Sequence, residues 1–173
     1  PDQRDLFAIE GRAAHQGAQH AAAAELFRKH LLINPQDASA RYVLARSFES
    51  LGRLDSAIEE YERVRAQAPT THDTLARLAR LLYEVRHDTG QALDVLFEIV
   101  ELEPENASAH FTVGEFLRDA GDLAGAIAAF ETVVALDPTH VSAHESLARL
   151  YEEEDEDASI RSYRRVIELA PDR

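Results

Sequence analysis

The 173-residue chain has no cysteine, no tryptophan and no methionine, and its single lysine is Lys29. Without cysteine, a disulfide, a zinc–thiolate site and a thiol nucleophile are all excluded. No stretch approaches the roughly 20 consecutive apolar residues that a membrane-spanning helix needs, so we expect no membrane insertion. These absences leave the compartment open, with the cytoplasm preferred.

Five prolines recur at intervals of 34, 35, 34 and 33 residues, namely Pro35, Pro69, Pro104, Pro138 and Pro171. Each closes a copy of one apolar pattern, in which a small residue precedes an aromatic residue or leucine by four positions, as Ala23 precedes Phe27. A short aliphatic run follows. Because a helix has 3.6 residues per turn, these positions share one face, and a period in the thirties predicts a two-helix repeat.

The segment before each apolar pattern predicts the other helix of the repeat. It also has apolar residues at helical spacing, with a small residue such as Ala45 where two helices approach closely. Gly52, Gly90 and Gly121 lie in three of the turns, where a left-handed conformation at a helix end favours glycine. Each copy therefore reads as a helix, a turn and a second helix.

Taken together, these positions resemble the tetratricopeptide repeat, whose pattern is roughly W-x2-L-G-x2-Y, then A-x3-F, then P. The resemblance extends from Arg4 to Pro171. It departs from the pattern in having no tryptophan, one inserted residue in the turn at 86–91 and a glycine-free turn at 152–157. It implies an all-α fold, a right-handed superhelical α-solenoid of about ten antiparallel helices.

We expect one solenoid domain over residues 1–173, with repeats at about 4–37, 38–71, 72–106, 107–140 and 141–173. The helices are expected at about 2–16, 20–33, 37–51, 54–67, 71–86, 89–102, 106–120, 123–136, 140–153 and 157–170. The aromatic residues of the pattern, Phe27, Tyr61, Phe130 and Tyr163, are expected to pack between helices. Asp37, Asp55 and Asp122 lie where a side-chain oxygen can cap a helix start.

The formal charge of −14 is unevenly distributed along the chain. Residues 1–69 contain nine basic and ten acidic side chains, whereas residues 70–173 contain nine basic and twenty-two acidic ones. Such a negative field repels phosphate backbones and anionic lipid, so we expect no nucleic-acid partner. The acidic run at 152–157 is interpreted as a solvated turn that also favours the start of the next helix.

The resemblance implies that the first helix of each repeat lines a concave groove that holds an extended peptide or a partner helix. One position of that face holds Arg12, Arg46, Arg80, Glu115 and Arg149, which we call the arginine column. Arginine pairs bidentately with carboxylates, and flat aromatic rings add contact area. The predicted peptide-binding residues are Arg12, Tyr42, Arg46, Arg77, Arg80, Tyr83, Phe111, Glu115 and Arg149. Alternatively, each arginine pairs with an acidic residue of a neighbouring repeat and serves only the fold.

The resemblance does not extend to the lysines and asparagines with which some members of the family grip the acidic C-terminus of a chaperone. The corresponding positions hold Ala8, Arg12, Val43, Asp73 and Arg77. We therefore do not predict a chaperone clamp.

Eight histidines raise the possibility of a metal site, and His140 and His144 have the i, i+4 spacing that can bind one ion. No third ligand follows at a recognisable spacing, so we predict no metal and no cofactor. His110 and His144 are interpreted as half-buried packing residues. His15 and His20 flank a turn and are expected to be solvated.

No catalytic pattern is found: there is no glycine-rich phosphate loop and no nucleophile elbow, and acidic pairs are too common to indicate chemistry. We predict a non-catalytic adaptor that binds a protein or peptide partner, and the arginine column favours an acidic one. The alternatives are a self-assembling scaffold and an accessory domain of a larger enzyme.

The last repeat lacks a polar capping helix, which would permit a homo-oligomer through it. Part of the set Ile160, Tyr163, Val166, Ile167 and Leu169 should then be more exposed than the equivalent residues of earlier repeats.

Overall fold

The computed structural model describes residues 3–67, 71–152 and 155–171, with side chains from residue 6 onward. These residues form ten helices and no strand: α1 Gln3–Gln16, α2 His20–Ile33, α3 Ala38–Ser50, α4 Leu54–Gln67, α5 His72–Arg86, α6 Thr89–Leu102, α7 Ala107–Asp119, α8 Leu123–Leu136, α9 Val141–Tyr151 and α10 Glu156–Leu169. Every helix begins and ends within two residues of the expected position, so the all-α fold class is confirmed. Pro69, Glu153, Glu154, Asp172 and Arg173 lie outside the described residues.

The chain divides into two compact units, Pro1–Ala92 and Leu93–Arg173, which we call the N-terminal and C-terminal units. In the N-terminal unit α1 packs on α2, α2 on α3, α3 on α4 and α4 on α5. In the C-terminal unit α7 packs on α8, α8 on α9 and α9 on α10. The short turns make the helices of each consecutive pair antiparallel, as the repeat pattern predicts.

The aromatic residues of the repeat pattern form the core of each unit. Phe27, Tyr61 and Phe130 are fully buried. A Cβ atom at position 11 would lie 3.0 Å from the Phe27 ring, so the small residue at this position allows the two helices of the first repeat to approach closely. Three of the four aromatic residues are thus confirmed as core. Tyr163 is instead 37% exposed.

Two of the three expected capping residues are confirmed, and the third is not a cap. The Asp37 carboxylate accepts from the Ala40 amide at 2.8 Å, and that of Asp122 accepts from the Gly125 amide at 3.0 Å. Asp55 was wrongly expected to cap, because it lies inside the first turn of α4. Its carboxylate is instead 3.5 Å from Arg86 on α5.

Two of the three turn glycines adopt the expected left-handed conformation, with φ of +69° at Gly52 and +85° at Gly121. The expectation for Gly90 was wrong, because it lies in the first turn of α6. The residue inserted into that turn lets His87 take the left-handed position instead, with φ of 52° at the end of α5. The insertion therefore moved the position that ends the helix.

The outward face of α10 is more exposed than the equivalent faces of earlier second helices. Ile160, Tyr163 and Ile167 are 41%, 37% and 65% exposed, whereas the residues equivalent to Tyr163 are nearly fully buried. Val166 and Leu169 are half-buried. The exposure expected for part of this set is confirmed. Among the described residues, no helix is long and apolar enough to cross a bilayer.

Candidate functional site

A pocket of about 620 Å³ opens in the N-terminal unit along the first helices of its repeats. Its apolar part contains Phe27, Val43 and Val64, which come from α2, α3 and α4. The complete lining is Arg12, Phe27, Ala38, Ser39, Tyr42, Val43, Val64, Thr71, Asp73 and Thr74. The pocket therefore combines an apolar floor with a polar rim, which is the usual composition of a ligand site.

Tyr42, Asp73 and Arg77 form one hydrogen-bonded group at this pocket. The Tyr42 hydroxyl donates to the Asp73 carboxylate, and Arg77 Nε donates to the same carboxylate at 3.1 Å. Burial alone would raise the pKa of Asp73, but the hydrogen bonds from Tyr42 and Arg77 hold that pKa below its usual value. Burial, followed by the bond to Asp73, raises the pKa of Tyr42. Asp73 is therefore a paired carboxylate.

A second group joins α3, α4 and α5 around Glu49. The Tyr61 hydroxyl donates to Glu49 Oε2 at 2.9 Å, Arg77 Nη1 lies 3.3 Å from the same oxygen, and Arg80 donates to Oε1. Arg80 also donates to Glu84 at 2.9 Å. Arg77 and Arg80, both predicted to contact a ligand, are thus occupied by carboxylates of the protein itself. For these two arginines, the alternative interpretation holds: each pairs with an acidic residue of a neighbouring repeat.

Arg12 and Arg46 differ from the arginines of α5, since neither has an ion-pair partner among the described residues. Arg12 is exposed at the rim of the pocket. The Arg46 guanidinium carbon lies 5.9 Å from the centre of the Tyr42 ring, a cation–π contact. Because Tyr42 also lines the pocket, these two arginines place positive charge beside the apolar floor. Tyr83, the remaining predicted residue of this unit, is half-buried on α5.

The C-terminal unit carries the other three predicted residues, Phe111, Glu115 and Arg149. The centroid of the Phe111 ring lies 5.4 Å from that of Phe130 and 4.8 Å from that of His140, so part of the ring packs against the core. Glu115 is half-buried on α7, and Arg149 is exposed on α9. Phe111 thus offers less free surface than its place in the pattern indicated.

The histidines serve structural roles that the sequence only partly indicated. His110 Nε2 lies 3.0 Å from the Pro104 carbonyl oxygen, and His144 Nε2 lies 3.2 Å from that of Pro138, so both half-buried imidazoles donate to the preceding loop. His140 accepts from the Ala143 amide and caps α9. Within the residues that the structure describes, no group of three or more histidine or acidic side chains is arranged to hold a metal ion.

His15 and His20 were wrongly expected to be solvated. Both are half-buried, with ring centroids 5.2 Å apart and edge to face. His15 Nδ1 lies 3.0 Å from the Ser47 hydroxyl, which itself donates to the Val43 carbonyl, so neutral His15 donates from Nδ1. Burial, then the charges of Arg46 and His20, lower the pKa of His15. The sequence missed this contact because Ser47 lies 32 residues away.

The sequence did not indicate the apolar floor of the pocket or the pairing of Glu49 beside it. Phe27 is predicted only to pack between helices, and no site role is predicted for Val64 or Glu49. Glu49 could have been suspected, since it lies three residues after Arg46 on the same helix face. The apolar floor carried no comparable signal, because floor residues and core residues follow the same helical period.

Models of the tetratricopeptide repeat match residues 14–82, 77–141 and 117–173. The chain is 30% identical over 111 residues to the cytochrome c-type biogenesis protein CycH of Rhizobium meliloti (strain 1021), a match that covers 63% of this chain and 29% of CycH. A crystal structure of MamA superposes with a TM-score of 0.83 at 18% identity, over 96% of this chain and 91% of MamA.

The structure is also similar to YrrB, a tetratricopeptide-repeat protein with an unusual peptide-binding site. Here the TM-score is 0.80 at 21% identity, over 96% of this chain and 86% of YrrB. Both structural likenesses concern the fold. The family models and the shared solenoid fold thus agree with the five-copy sequence pattern, and the chain belongs to the tetratricopeptide repeat family of protein–protein interaction modules.

Proposed function

We propose that this chain is a non-catalytic adaptor that holds an extended segment of a partner protein against the pocket of its N-terminal unit. The observation that supports this proposal most directly is the placement of Arg12 and Arg46. Arg12 lines the pocket and Arg46 contacts its Tyr42 ring, and neither has an ion-pair partner among the described residues. YrrB, which has the same fold, has a peptide-binding site.

The pocket favours a segment with one large apolar side chain close to a carboxylate. The apolar side chain would cover half-buried Val43 and the Tyr42 ring, since Phe27 and Val64 are already buried, and burial of apolar area contributes about 25 cal/mol per Å². The carboxylate would accept charge-assisted hydrogen bonds from Arg12 and Arg46, each contributing about 1.5–3 kcal/mol. The Tyr42 ring, which contacts Arg46, supplies rigid contact area at a low entropy cost.

Charge distribution supports an acidic peptide here and opposes nucleic acid. The N-terminal unit has nearly balanced charge, with 12 basic and 13 acidic side chains, so local arginines decide what it attracts. The C-terminal unit has 6 basic and 19 acidic side chains and repels phosphates. In the C-terminal unit, exposed Arg149 and half-buried Glu115 are proposed as secondary contacts. Phe111 is proposed to contribute only the exposed part of its ring.

Calorimetric titration with a blocked nine-residue peptide of alternating leucine and glutamate, the Leu–Glu peptide, tests this proposal. The double variant Arg12→Ala/Arg46→Ala should bind it at least about tenfold more weakly, because tenfold corresponds to about 1.4 kcal/mol. Arg28→Ala/Lys29→Ala is the matched control, since it removes the same charge from exposed positions of α2 outside the pocket. Equal losses in both variants, or none in the first, would contradict the proposal.

Self-assembly is a second candidate function, favoured by the exposed side chains Ile160, Tyr163 and Ile167 on α10. In this reading the face of α10 pairs with a second copy, in the way that α2, α4 and α8 each pack on the helix that follows. Light scattering after size-exclusion chromatography over a concentration series distinguishes the two functions. A monomer at all concentrations would contradict self-assembly and leave the adaptor proposal intact.

The similarity to CycH suggests a cellular setting, namely an interaction module within cytochrome c-type biogenesis. The matched region is 29% of CycH, so the setting is proposed for the module and not for the activity of the whole relative. If the gene region that encodes residues 1–173 is deleted and covalent haem staining of c-type cytochromes is lost, this setting is supported. Unchanged staining would contradict it.

A further inference from the structure

We propose that Glu49 determines which part of the groove accepts an acidic side chain, an inference that rests on the proposed peptide-binding function. Its carboxylate already accepts hydrogen bonds from Arg77 and Arg80. A partner's carboxylate is thereby confined to Arg12 and Arg46. The partner class is an extended segment with one acidic group beside its apolar anchor and uncharged residues where it passes α5.

Glu49 is held by three donors from two helices. It lies near the end of α3, its side chain is 17% exposed, and it accepts from Tyr61 on α4 and from Arg77 and Arg80 on α5. Tyr61 is fully buried, so its hydroxyl holds Glu49 Oε2 from the protein interior. The two guanidinium groups approach from the neighbouring repeat.

The acidic partners of Arg77 and Arg80 explain why a ligand carboxylate is disfavoured at these two residues. Arg77 is paired with Asp73 and Glu49, and Arg80 with Glu49 and Glu84. An incoming carboxylate could reach the remaining N–H donors of Arg80, whose side chain is 45% exposed, but Glu49 and Glu84 already balance that charge. Drawing either arginine away from Glu49 would leave a mostly buried carboxylate without its partners. Such a loss offsets the new ion pair. No comparable displacement is needed at Arg12 or Arg46.

α5 is also held by apolar packing in which Glu49 takes no part, so the role of Glu49 in binding can be tested separately from the fold. Leu75, Leu78 and Leu82 on this helix are fully or almost fully buried and hold it in place. In Glu49→Gln the amide oxygen can still accept from the Tyr61 hydroxyl, so the shape of the site is kept. What the substitution removes is the negative charge between Arg77 and Arg80.

Titration of wild type and Glu49→Gln with the Leu–Glu peptide tests the inference. We expect Glu49→Gln to bind about tenfold more tightly, with a steeper loss of affinity as salt is added, because one or more extra charge-assisted hydrogen bonds form. Glu84→Gln is the matched control, because it removes the same charge from an exposed partner of Arg80 alone. It should change the affinity by less than about twofold. Adding Arg80→Gln to Glu49→Gln should remove most of the gain.

The outcomes separate this inference from the function on which it rests. If wild type does not bind the peptide, the proposed function is contradicted. If wild type binds and folded Glu49→Gln binds no more tightly, only the role of Glu49 is contradicted. Should Glu49→Gln unfold, Glu49→Asp replaces it, since the shorter side chain withdraws the carboxylate and should give a smaller gain. Unfolding of both variants would show that Glu49 is structural and overturn the inference.

Discussion

The ring of Phe130 on α8 lies directly against the backbone of Gly114 on α7. A Cβ atom at position 114 would be 2.7 Å from Phe130 Cε1, closer than real Cβ contacts. Since Phe130 is fully buried and belongs to the core of the C-terminal unit, its ring has no free space into which it could move. Absence of a side chain at Gly114 is therefore what allows this pair of helices to pack.

Gly114→Ala should lower the free energy of unfolding by about 1–3 kcal/mol, because overpacking outweighs the higher helix propensity of alanine. Gly90→Ala is the control, in the first turn of α6, where a Cβ would meet only Asp88 Oδ1 at 3.6 Å. That change should not destabilise, and its gain should stay below the about 0.5–1 kcal/mol of a mid-helix position. Urea denaturation of both variants checks the pair, and stabilisation by Gly114→Ala would contradict the close contact.

The buried ion pair of Arg41 and Glu60 predicts a loss of stability that depends on whether one partner or both are removed. Both residues are less than 10% exposed, and their atoms lie 2.7 Å apart. Glu60→Leu should destabilise by about 3–5 kcal/mol, because Arg41 then remains buried with only the Gln67 amide and the Pro35 carbonyl. Arg41→Leu/Glu60→Leu should be more stable than Glu60→Leu alone, as measured by urea denaturation. A double variant at least as unstable as the single one would refute the argument.

His15 predicts a loss of stability in weakly acidic solution. Burial and the charges of Arg46 and His20 place its folded pKa below the unfolded value of 6.5. The unfolded chain then binds more protons, so stability falls as the pH drops through 6.5 and levels off below the folded pKa. The Tm of wild type should decrease more between pH 7.5 and pH 5.5 than that of His15→Gln. Parallel decreases in the two proteins would show that other groups are responsible.

The helices were predictable because their signal is local and repeated five times. The helix periodicity and turn glycines such as Gly52 depend on residues a few positions apart. Partners of Arg77 and Arg80 were not predictable in this way, because Glu49 lies about 30 residues earlier and meets them only through the packing of α3, α4 and α5. Gly90 shows the limit within a turn, where a single inserted residue moved the left-handed conformation to His87.

Ile167 offers a direct test of whether the exposed face of α10 mediates self-association. Its side chain is 65% exposed, so Ile167→Glu should leave Tm almost unchanged while lowering the average mass measured by sedimentation at high protein concentration. Leu32→Glu is the matched control, because Leu32 on α2 is 85% exposed and lies on a different unit. It should leave both Tm and mass unaltered. An equal fall in mass for both variants would indicate general charge repulsion, and no fall in either would remove α10 as an assembly surface.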